Sequence, residues 1–302
     1  MMANKAYHDH APASVAPIAL PIALYVVATP LGHLRDISLR ALDVLAGVDA
    51  VAAEDTRTSG PFLTSYGIKA AMFSAHDHNE NAAAARIVEM LAAGKRVALI
   101  SDAGTPAVSD PGARIVRAVL AAGHTVTPIP GPSAVTGALS VAGCEGPFRF
   151  AGFLPTKSAA RRKTMRELRA ETATLVLYEA PHRIVDFARD LATEFEAARR
   201  VVVARELTKK FETVQVLEVS TLTGWLEEDT NRQRGEFVIV LDGAPSVSHE
   251  HAHTDRVLGI LLAELPLKTA VKLASAITGA SKNTLYERAL EMQSDAGSAD
   301  PT

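Results

Sequence analysis

The sequence predicts an α/β protein in which parallel strands alternate with crossover helices. Residues 97–142 carry this prediction, because an apolar run, a Gly/Pro loop and a segment of helical apolar spacing follow one another and then repeat in the same order. Parallel strands place ligands outside their carboxyl ends. Both loops, Ser101 to Gly112 and Pro130 to Ser133, fall at that position and are the first candidates for a binding site.

These two loops match neither G-x-G-x-x-G nor G-x-x-x-x-G-K-[ST]. A dinucleotide or a nucleoside triphosphate is therefore not the ligand that the motifs indicate. Glycines at Gly104, Gly112 and Gly131 would let the backbone approach a small polar ligand. The same residues could equally form tight βα turns with Ser133 as a helix N-cap, and spacing alone does not distinguish the two.

The chain begins with an Ala- and Pro-rich stretch, residues 1–21, which we expect to be a disordered leader. Prolines interrupt its uncharged run, which argues against a membrane span and a signal peptide. A strand over Leu24 to Ala28, a helix over Ile37 to Ala46 and a strand over Ala50 to Ala53 are predicted next. Glu54-Asp55-Thr56-Arg57 ends the last of these strands and forms either part of a site or an ion pair that caps the next helix.

A histidine-containing loop, His76 to Glu80, precedes a predicted Ala-rich helix over Ala82 to Ala92. Its residues resemble metal ligands, but no distant ligand pair supports them, so a solvated loop with an N-cap is favoured. No structural metal is expected. A break without sustained period follows at residues 143–152, and we place a domain boundary there.

The segment from Lys157 to Arg169 is strongly basic, with six basic residues and one acidic residue. On a helix, Arg162, Arg166 and Arg169 would share one face, which is the pattern expected for phosphate contacts; the alternative is a solvated helix face. Strands are predicted over Thr174 to Tyr178, Arg200 to Glu206, Thr213 to Val219 and Glu236 to Leu241, with a helix reaching about Phe195. This half therefore predicts a mixed sheet.

The C-terminal part is predicted to be helical. Residues 244–253 have the composition of a linker, residues 254–292 form short helices that resemble a helix-turn-helix, and residues 293–302 are expected to be a disordered tail. In the helical part, Lys268, Lys272 and Lys282 could contact phosphates. As a lone signal this pattern is weak, because many helical hairpins share it.

Composition restricts the protein class. The chain has 302 residues, 48% hydrophobic and 22% charged, and a formal net charge of -3, so binding of a polyanion would depend on a local basic patch. Its single cysteine, Cys144, excludes an internal disulfide framework and a cysteine metal cluster.

Several ordered motifs carry a family resemblance. They are VVATPLGHLRDIS, AAEDTR, SDAGTPAVSDPG, PIPGPSA, LYEAPHR and GEFVIVLDG, which occur between Leu24 and Met292. Together they resemble the tetrapyrrole methylase superfamily, and within it the enzymes that methylate ribose 2'-hydroxyls of small-subunit ribosomal RNA. The resemblance implies a two-domain α/β (class III methyltransferase) fold with a cofactor cleft between domains 22–145 and 146–243, and a small helical domain at 254–292.

The resemblance also implies S-adenosyl-L-methionine as cofactor, a cytidine in the decoding region of 16S rRNA within the small ribosomal subunit as substrate, and a homodimer. The single cysteine favours a cytoplasmic location, and no membrane association is expected. Cofactor contacts carried over by motif are Pro30, Asp102, Gly104, Thr105, Val108, Ser133 and Ala134, with Tyr178, Ala204 and Gly235 from the second domain.

Methyl transfer to a ribose hydroxyl needs a group that takes the proton or stabilises the alkoxide. The unranked candidates are Glu54, Asp55, Glu179, His182 and Lys209. RNA contacts are expected from Arg57, Lys157, Arg161, Arg162, Lys163, Arg166, Arg169, Lys268, Lys272 and Lys282. Methylation of a tetrapyrrole ring by the same fold and a non-catalytic RNA-binding or assembly role remain the alternatives.

Overall fold

The structure is a computed structural model, and it describes residues 19–245 and 249–297. The chain divides into two compact units, the first ending at Asp242 and the second beginning at Gly243. Residues 1–18 of the expected leader lie outside the described residues.

The first sheet has five parallel strands in the order β3-β2-β4-β1-β5. They are β1 (Leu24–Val27), β2 (Ala50–Ala53), β3 (Met72–Ser74), β4 (Val97–Ile100) and β5 (Val126–Ile129). The helices of this half are α1 (Leu39–Gly47), α2 (Thr56–Ser65), α3 (Glu80–Ala92), α4 (Ala113–Ala121) and α5 (Ala134–Ala142). Alternate residues of β4 join two hydrophobic clusters on opposite faces of the sheet, which explains its uninterrupted apolar run.

The second sheet is mixed, as predicted, in the order β6-β7-β10-β8-β9. Its strands are β6 (Phe148–Phe153), β7 (Thr174–Glu179), β8 (Arg200–Arg205), β9 (Thr213–Glu218) and β10 (Phe237–Leu241). In this sheet β6 and β7 pair in parallel, and the other neighbouring strands pair antiparallel. On one face pack α6 (Ser158–Leu168), α7 (Ile184–Glu194) and α8 (Val219–Glu228), and on the other packs α5 from the first half.

Two features of this half differ from the sequence prediction. The segment taken as a break contains β6, an exposed edge strand whose register shifts between Phe150 and Gly152, so its period of two is interrupted. The predicted boundary between residues 145 and 146 separates the two sheets, but α5 lies before it and buries Val135, Ala138 and Ala142 against the second sheet. Both sheets consequently belong to one compact unit.

The second unit consists of α9 (His249–Glu264), α10 (Leu267–Thr278) and α11 (Lys282–Gly297) around a small apolar core. The predicted linker is wrong from His249 onward, because that stretch contains no Gly or Pro and continues into the helix. The predicted tail is also too long, since α11 extends to Gly297. Residues 246–248 and 298–302 lie outside the described part of the chain. Over 19–245 and 249–297, no helix combines the length and apolarity needed to span a bilayer.

Candidate active site

A cavity of about 410 Å³ lies at the carboxyl ends of the parallel strands of the first sheet. The second half closes it with residues from the ends of β6 and β7, from β8 and the turn after it, and from the start of β10. The volume falls within the roughly 300–1,000 Å³ of small-ligand pockets. The sequence analysis placed the candidate binding loops at these carboxyl ends.

Backbone hydrogen bonds join the loops of the first half. The Thr29 amide donates to the Gly104 carbonyl at 2.8 Å, and the Gly104 amide donates to the Thr29 carbonyl at 3.0 Å. The Thr105 hydroxyl donates to the Pro132 carbonyl at 3.0 Å. Gly104 has a φ of +82°, a left-handed conformation that glycine adopts without strain. Three βα loops therefore form one connected wall.

Eight of the ten predicted cofactor residues line this cavity. They are Asp102, Gly104, Thr105, Val108, Ser133, Ala134, Tyr178 and Ala204. Pro30 and Gly235 do not line it, although their neighbours Leu31 and Glu236 do. The structure requires glycine at position 235, because a Cβ there would lie 2.4 Å from the Glu206 Cγ.

Three carboxylates line the first-half side of the cavity: Glu54, Asp102 and Asp110. Burial raises the pKa of each. The effect is largest for Asp110, whose pKa rises to about 6 through burial and the nearby charge of Glu54. Glu54 in turn accepts a hydrogen bond from the Asp102 amide at 3.2 Å. A carboxylate poised near neutral pH can accept a proton.

Asp110 was missed by sequence reasoning, although it lies inside a motif that was singled out. A structural feature marks the loop that holds it: Ala107 and Ser109, neither of them glycine, have φ values of 68° and 64°. Glu80, itself buried, accepts hydrogen bonds from the amides of Gly112 and Arg114 at 2.8 and 3.0 Å and anchors the end of this loop. Strained backbone of this kind concentrates at functional sites.

The corner after β2 supports both readings of the sequence. Glu54 lines the cavity, whereas Asp55 caps α2 by accepting from the Arg57 amide at 2.8 Å. The Asp55 carboxylate also pairs with the Arg57 guanidinium, which holds the pKa of Asp55 at about 2. Asp55 is therefore a weak proton acceptor.

Of the remaining catalytic candidates, one lines the cavity and two do not. Glu179 lines the cavity and has a fully buried side chain paired with Arg183, whereas His182 is exposed and outside the lining. Lys209 is also outside it, and its Nζ lies 3.0 Å from Glu206 and 2.7 Å from Glu236. Burial alone would lower the pKa of Lys209, but these two bonds outweigh it and raise the pKa. His182 and Lys209 are thus not placed at the cavity surface.

The basic helix predicted for RNA is α6, and α7 provides acidic partners for it. Arg161 is 3% exposed and pairs with Asp190 at 2.6 Å, so its assignment as an RNA contact is wrong. Arg162 and Arg166 both pair with Glu194, at 2.6 and 2.9 Å. Arg169 pairs with Glu196 at 2.9 Å. The expected stripe of charge is largely compensated, because a charge count along one segment ignores the partner helix.

Exposed lysines remain from the predicted RNA set. They are Lys157 and Lys163 in the first unit and Lys268, Lys272 and Lys282 in the second. Arg57 is also exposed, 89% at its side chain, although its charge is shared with Asp55. In the second unit, Gly279 ends α10 with a φ of +76° and Ser281 caps α11, which is the turn expected between two such helices.

The loop His76 to Glu80 leads into α3, and Asn79 is the N-cap residue, although its side chain makes no hydrogen bond to the amides of the helix. The Asn79 side chain accepts a hydrogen bond from the His76 amide at 2.8 Å. The Glu80 carboxylate accepts one from the amide of Gly112, at the start of α4. Among residues 19–245 and 249–297, no group of His, Cys, Asp or Glu side chains is arranged to hold a metal ion.

Comparison with known proteins gives two agreeing family matches. A model described as Tetrapyrrole (Corrin/Porphyrin) Methylases matches residues 23–223, and one described as RsmI C-terminal HTH domain matches residues 249–293. Two similar curated proteins are named ribosomal RNA small subunit methyltransferase I. The protein of Escherichia coli O157:H7 is 46% identical over 89% of this chain and 95% of its own length. That of Pseudomonas aeruginosa is 48% identical over 89% of this chain and 97% of its own length.

Solved structures show the same fold. A uroporphyrin-III-C-methyltransferase from Thermus thermophilus aligns with a TM-score of 0.54 at 21% identity, over 73% of this chain and 94% of that one. Another structure with that enzyme name and source, complexed with S-adenyl homocysteine, aligns with a TM-score of 0.52 at 17% identity, over 73% and 97% of the two chains. These matches confirm the predicted fold class.

Proposed function

Because the chain belongs to the tetrapyrrole methylase family, and within it to the group named ribosomal RNA small subunit methyltransferase I, we propose that it transfers a methyl group from S-adenosyl-L-methionine to the ribose 2'-hydroxyl of a cytidine in 16S rRNA. The observation that carries the proposal is the cavity at the strand ends, whose wall contains eight of the residues expected to bind the cofactor. The substrate class rests on the similarity to the named relatives, which extends over nearly nine-tenths of the chain.

The residues present fit this cofactor. Val108, Ala134, Tyr178 and Ala204 provide an apolar wall for an adenosine, and the carboxylates on the first-half side suit a molecule that carries a sulfonium and an ammonium group. The joined loops at Gly104 and Ser133 bring the backbone to the ligand. The bound cofactor supplies an activated methyl group, so the protein's part is to position the acceptor hydroxyl, exclude water and accept a proton.

Asp110 is our proposed proton acceptor. Its pKa of about 6 is close to neutrality, and its loop is held in a strained conformation. Glu54 is the supporting group, since its charge raises the Asp110 pKa and its own position is fixed by the Asp102 amide. Deprotonated Asp110 would take the 2'-hydroxyl proton as the oxygen bonds to the methyl carbon, while the bond from that carbon to sulfur breaks and S-adenosylhomocysteine is left.

The activity is tested with methyl-labelled S-adenosylmethionine and small ribosomal subunits from cells that lack the enzyme. We expect label in a 2'-O-methylated cytidine after digestion of the RNA and mass spectrometry. Transfer to a tetrapyrrole instead, or cofactor binding without any transfer, would contradict the proposal. We also propose that the acceptor is the assembled small subunit and that the reaction takes place in the cytoplasm. Free 16S rRNA as a parallel substrate tests the first of these two points.

Replacing Lys157 and Lys163 together by Glu is expected to weaken binding to small subunits and to lower the slope of log K against log salt by about 2, roughly one for each lost phosphate contact. Both lysines are exposed, and within the described part of the chain neither is paired with an acidic side chain, so each is available to contact RNA. Cofactor affinity should not change. The matched control is Lys69→Glu with Lys95→Glu, two exposed lysines that precede β3 and β4 and so lie at the amino ends of the first sheet's strands, whereas the cavity lies at the carboxyl ends. Equal loss in both double variants would refute specific contacts.

We also propose a homodimer that forms through β9, an edge strand of the second sheet. Val214 and Val216 are 39% and 49% exposed on one face of this strand, and Phe211 just before it is 63% exposed. Pairing of two copies of β9 would cover both the strand edge and these side chains.

Val214→Lys with Val216→Lys should convert the dimer to a monomer, as measured by light scattering on a sizing column. Leu120→Lys is the control, because Leu120 is 57% exposed on α4, far along the chain from β9. A dimer that survives the double substitution would place the interface elsewhere.

A further inference from the structure

Phe153 is a partly exposed aromatic residue of the cavity wall. It lines the cavity, yet it is 54% exposed. Neither the cofactor set carried over by motif nor the proposed proton transfer uses it. An aromatic side chain left open to water at the mouth of a site costs hydrophobic free energy unless a ligand covers it.

A β-bulge in β6 orients the Phe153 side chain. The register of β6 against β7 shifts between Phe150 and Gly152, immediately before Phe153, and such bulges turn the following side chain. Gly152 has a φ of +63°, and a Cβ there would lie 3.0 Å from the Ser109 Oγ. The bulge therefore lies against the loop that carries Asp110.

The ring and the chain after it are held in place. The Phe153 ring meets the Tyr178 ring at 5.5 Å and 65°, and Phe150 supports Tyr178 at 5.0 Å. Arg183 donates to the carbonyls of Leu154 and Pro155 at 2.8 and 3.2 Å. Buried Arg161 donates to the Thr156 carbonyl at 3.4 Å. Phe153 is thus a fixed platform with more than half of its surface open.

We propose that Phe153 stacks on the base of the nucleotide that is methylated, a proposal that rests on the proposed function. Single-stranded RNA is bound through unstacked bases that lie on aromatic side chains. A base on Phe153 would hold its ribose near the loop that carries Asp110, because a Cβ at the preceding Gly152 would lie only 3.0 Å from the Oγ of Ser109. Lys157, exposed four residues further along, is available for a flanking phosphate.

The test compares Phe153→Leu and Phe153→Trp with the wild type. Phe153→Leu removes the aromatic face, and we expect the KM for small subunits to rise roughly 10- to 100-fold. The dissociation constant for S-adenosylmethionine, measured by calorimetry without RNA, should stay within a factor of about 2. Phe153→Trp keeps a stacking face and should restore KM. Phe148→Leu is the matched control, since Phe148 lies on the same strand and is 51% exposed but does not line the cavity.

Three outcomes of these measurements would overturn the proposed stacking on Phe153. Weaker cofactor binding in Phe153→Leu would show that the adenine of the cofactor occupies the platform, and it would overturn the proposal. An unchanged KM in Phe153→Leu, or an equal loss in Phe153→Trp, would also overturn it. If the wild type transfers no methyl group to subunits, the proposed function itself fails, which is a separate outcome seen before any variant is compared.

Discussion

Replacing Asp110 by Asn is expected to lower kcat for methyl transfer by roughly 100- to 10,000-fold, the range lost when a general base is removed. The substitution keeps the size of the side chain but removes its ability to accept a proton. Cofactor affinity should change little, because Glu54 and Asp102 remain on the same side of the cavity. Single-turnover rates and a separate cofactor titration measure the two effects independently.

The pH profile identifies the role of Asp110 more directly. With a pKa of about 6 in the free protein, Asp110 is protonated and inactive as a base at pH 5, and charged at pH 7. The kcat/KM of the wild type should therefore rise with pH through a midpoint near 6, and Asp110→Asn should lose this limb. Asp77→Asn is the control, since Asp77 contributes to the field at Asp110 but is exposed and outside the cavity lining.

Stability separates a catalytic defect from misfolding. Because the folded-state pKa of Asp110 is raised above its ordinary value, the charged carboxylate destabilises the fold above pH 6, and this cost disappears as the pH falls below that value. Asp110→Asn should consequently have a Tm at pH 7.5 equal to or above that of the wild type. A lower Tm, or a loss confined to cofactor affinity, would count against Asp110 as the proton acceptor.

The sequence predicts the positions of the buried strands well. β2 occurs over the predicted residues, Ala50–Ala53, and β4, Val97–Ile100, is the apolar run that begins residues 97–142. Runs of this kind arise when both faces of a strand are covered, and then pattern alone is sufficient. The edge strand β6 was not predicted, because its partial exposure and its bulge interrupt the alternating pattern of a strand. The loops that line the cavity were identified through their motifs, whose glycines and prolines restrict the backbone locally.

Long-range electrostatics could not be predicted from the sequence. The basic residues of α6 form a clear run in the chain, but their acidic partners Asp190, Glu194 and Glu196 are about 30 residues away and approach only when α6 and α7 pack together. Asp110 was missed for a related reason. Its raised pKa depends on burial and on Glu54, which is distant in sequence.

Replacing Arg183 by Met is expected to be the most destabilising of the substitutions considered. The Glu179 side chain is fully buried and the Arg183 side chain is 14% exposed, with Nε of Arg183 3.0 Å from Oε1 of Glu179. Removing one partner of a buried pair leaves an uncompensated charge and costs about 3–5 kcal/mol. At roughly 2–4 °C per kcal/mol for a unit of this size, Tm should fall on the order of 10 °C. Differential scanning calorimetry measures it.

The origin of that loss can be isolated with Glu179→Gln combined with Arg183→Met. The Gln oxygen can still accept from the Ala180 amide, which bonds to Glu179 at 2.8 Å, so the double variant lacks the orphaned charge and should regain much of the lost stability. The bonds from Arg183 to Leu154 and Pro155 stay broken, so recovery should be incomplete.

The pH dependence of the stability of Arg183→Met tests independently whether the unpaired Glu179 charge causes the loss. Burial raises the pKa of Glu179 even with Arg183 present, and loss of the arginine should raise the pKa further. Above that pKa the charged form destabilises the fold, and the cost is relieved as the pH falls through it. The deficit in Arg183→Met should therefore be larger at pH 8 than at pH 5.5. A deficit that is independent of pH and persists in the double variant would show that Arg183 stabilises the fold through its carbonyl bonds alone, and that the buried charge pair contributes nothing.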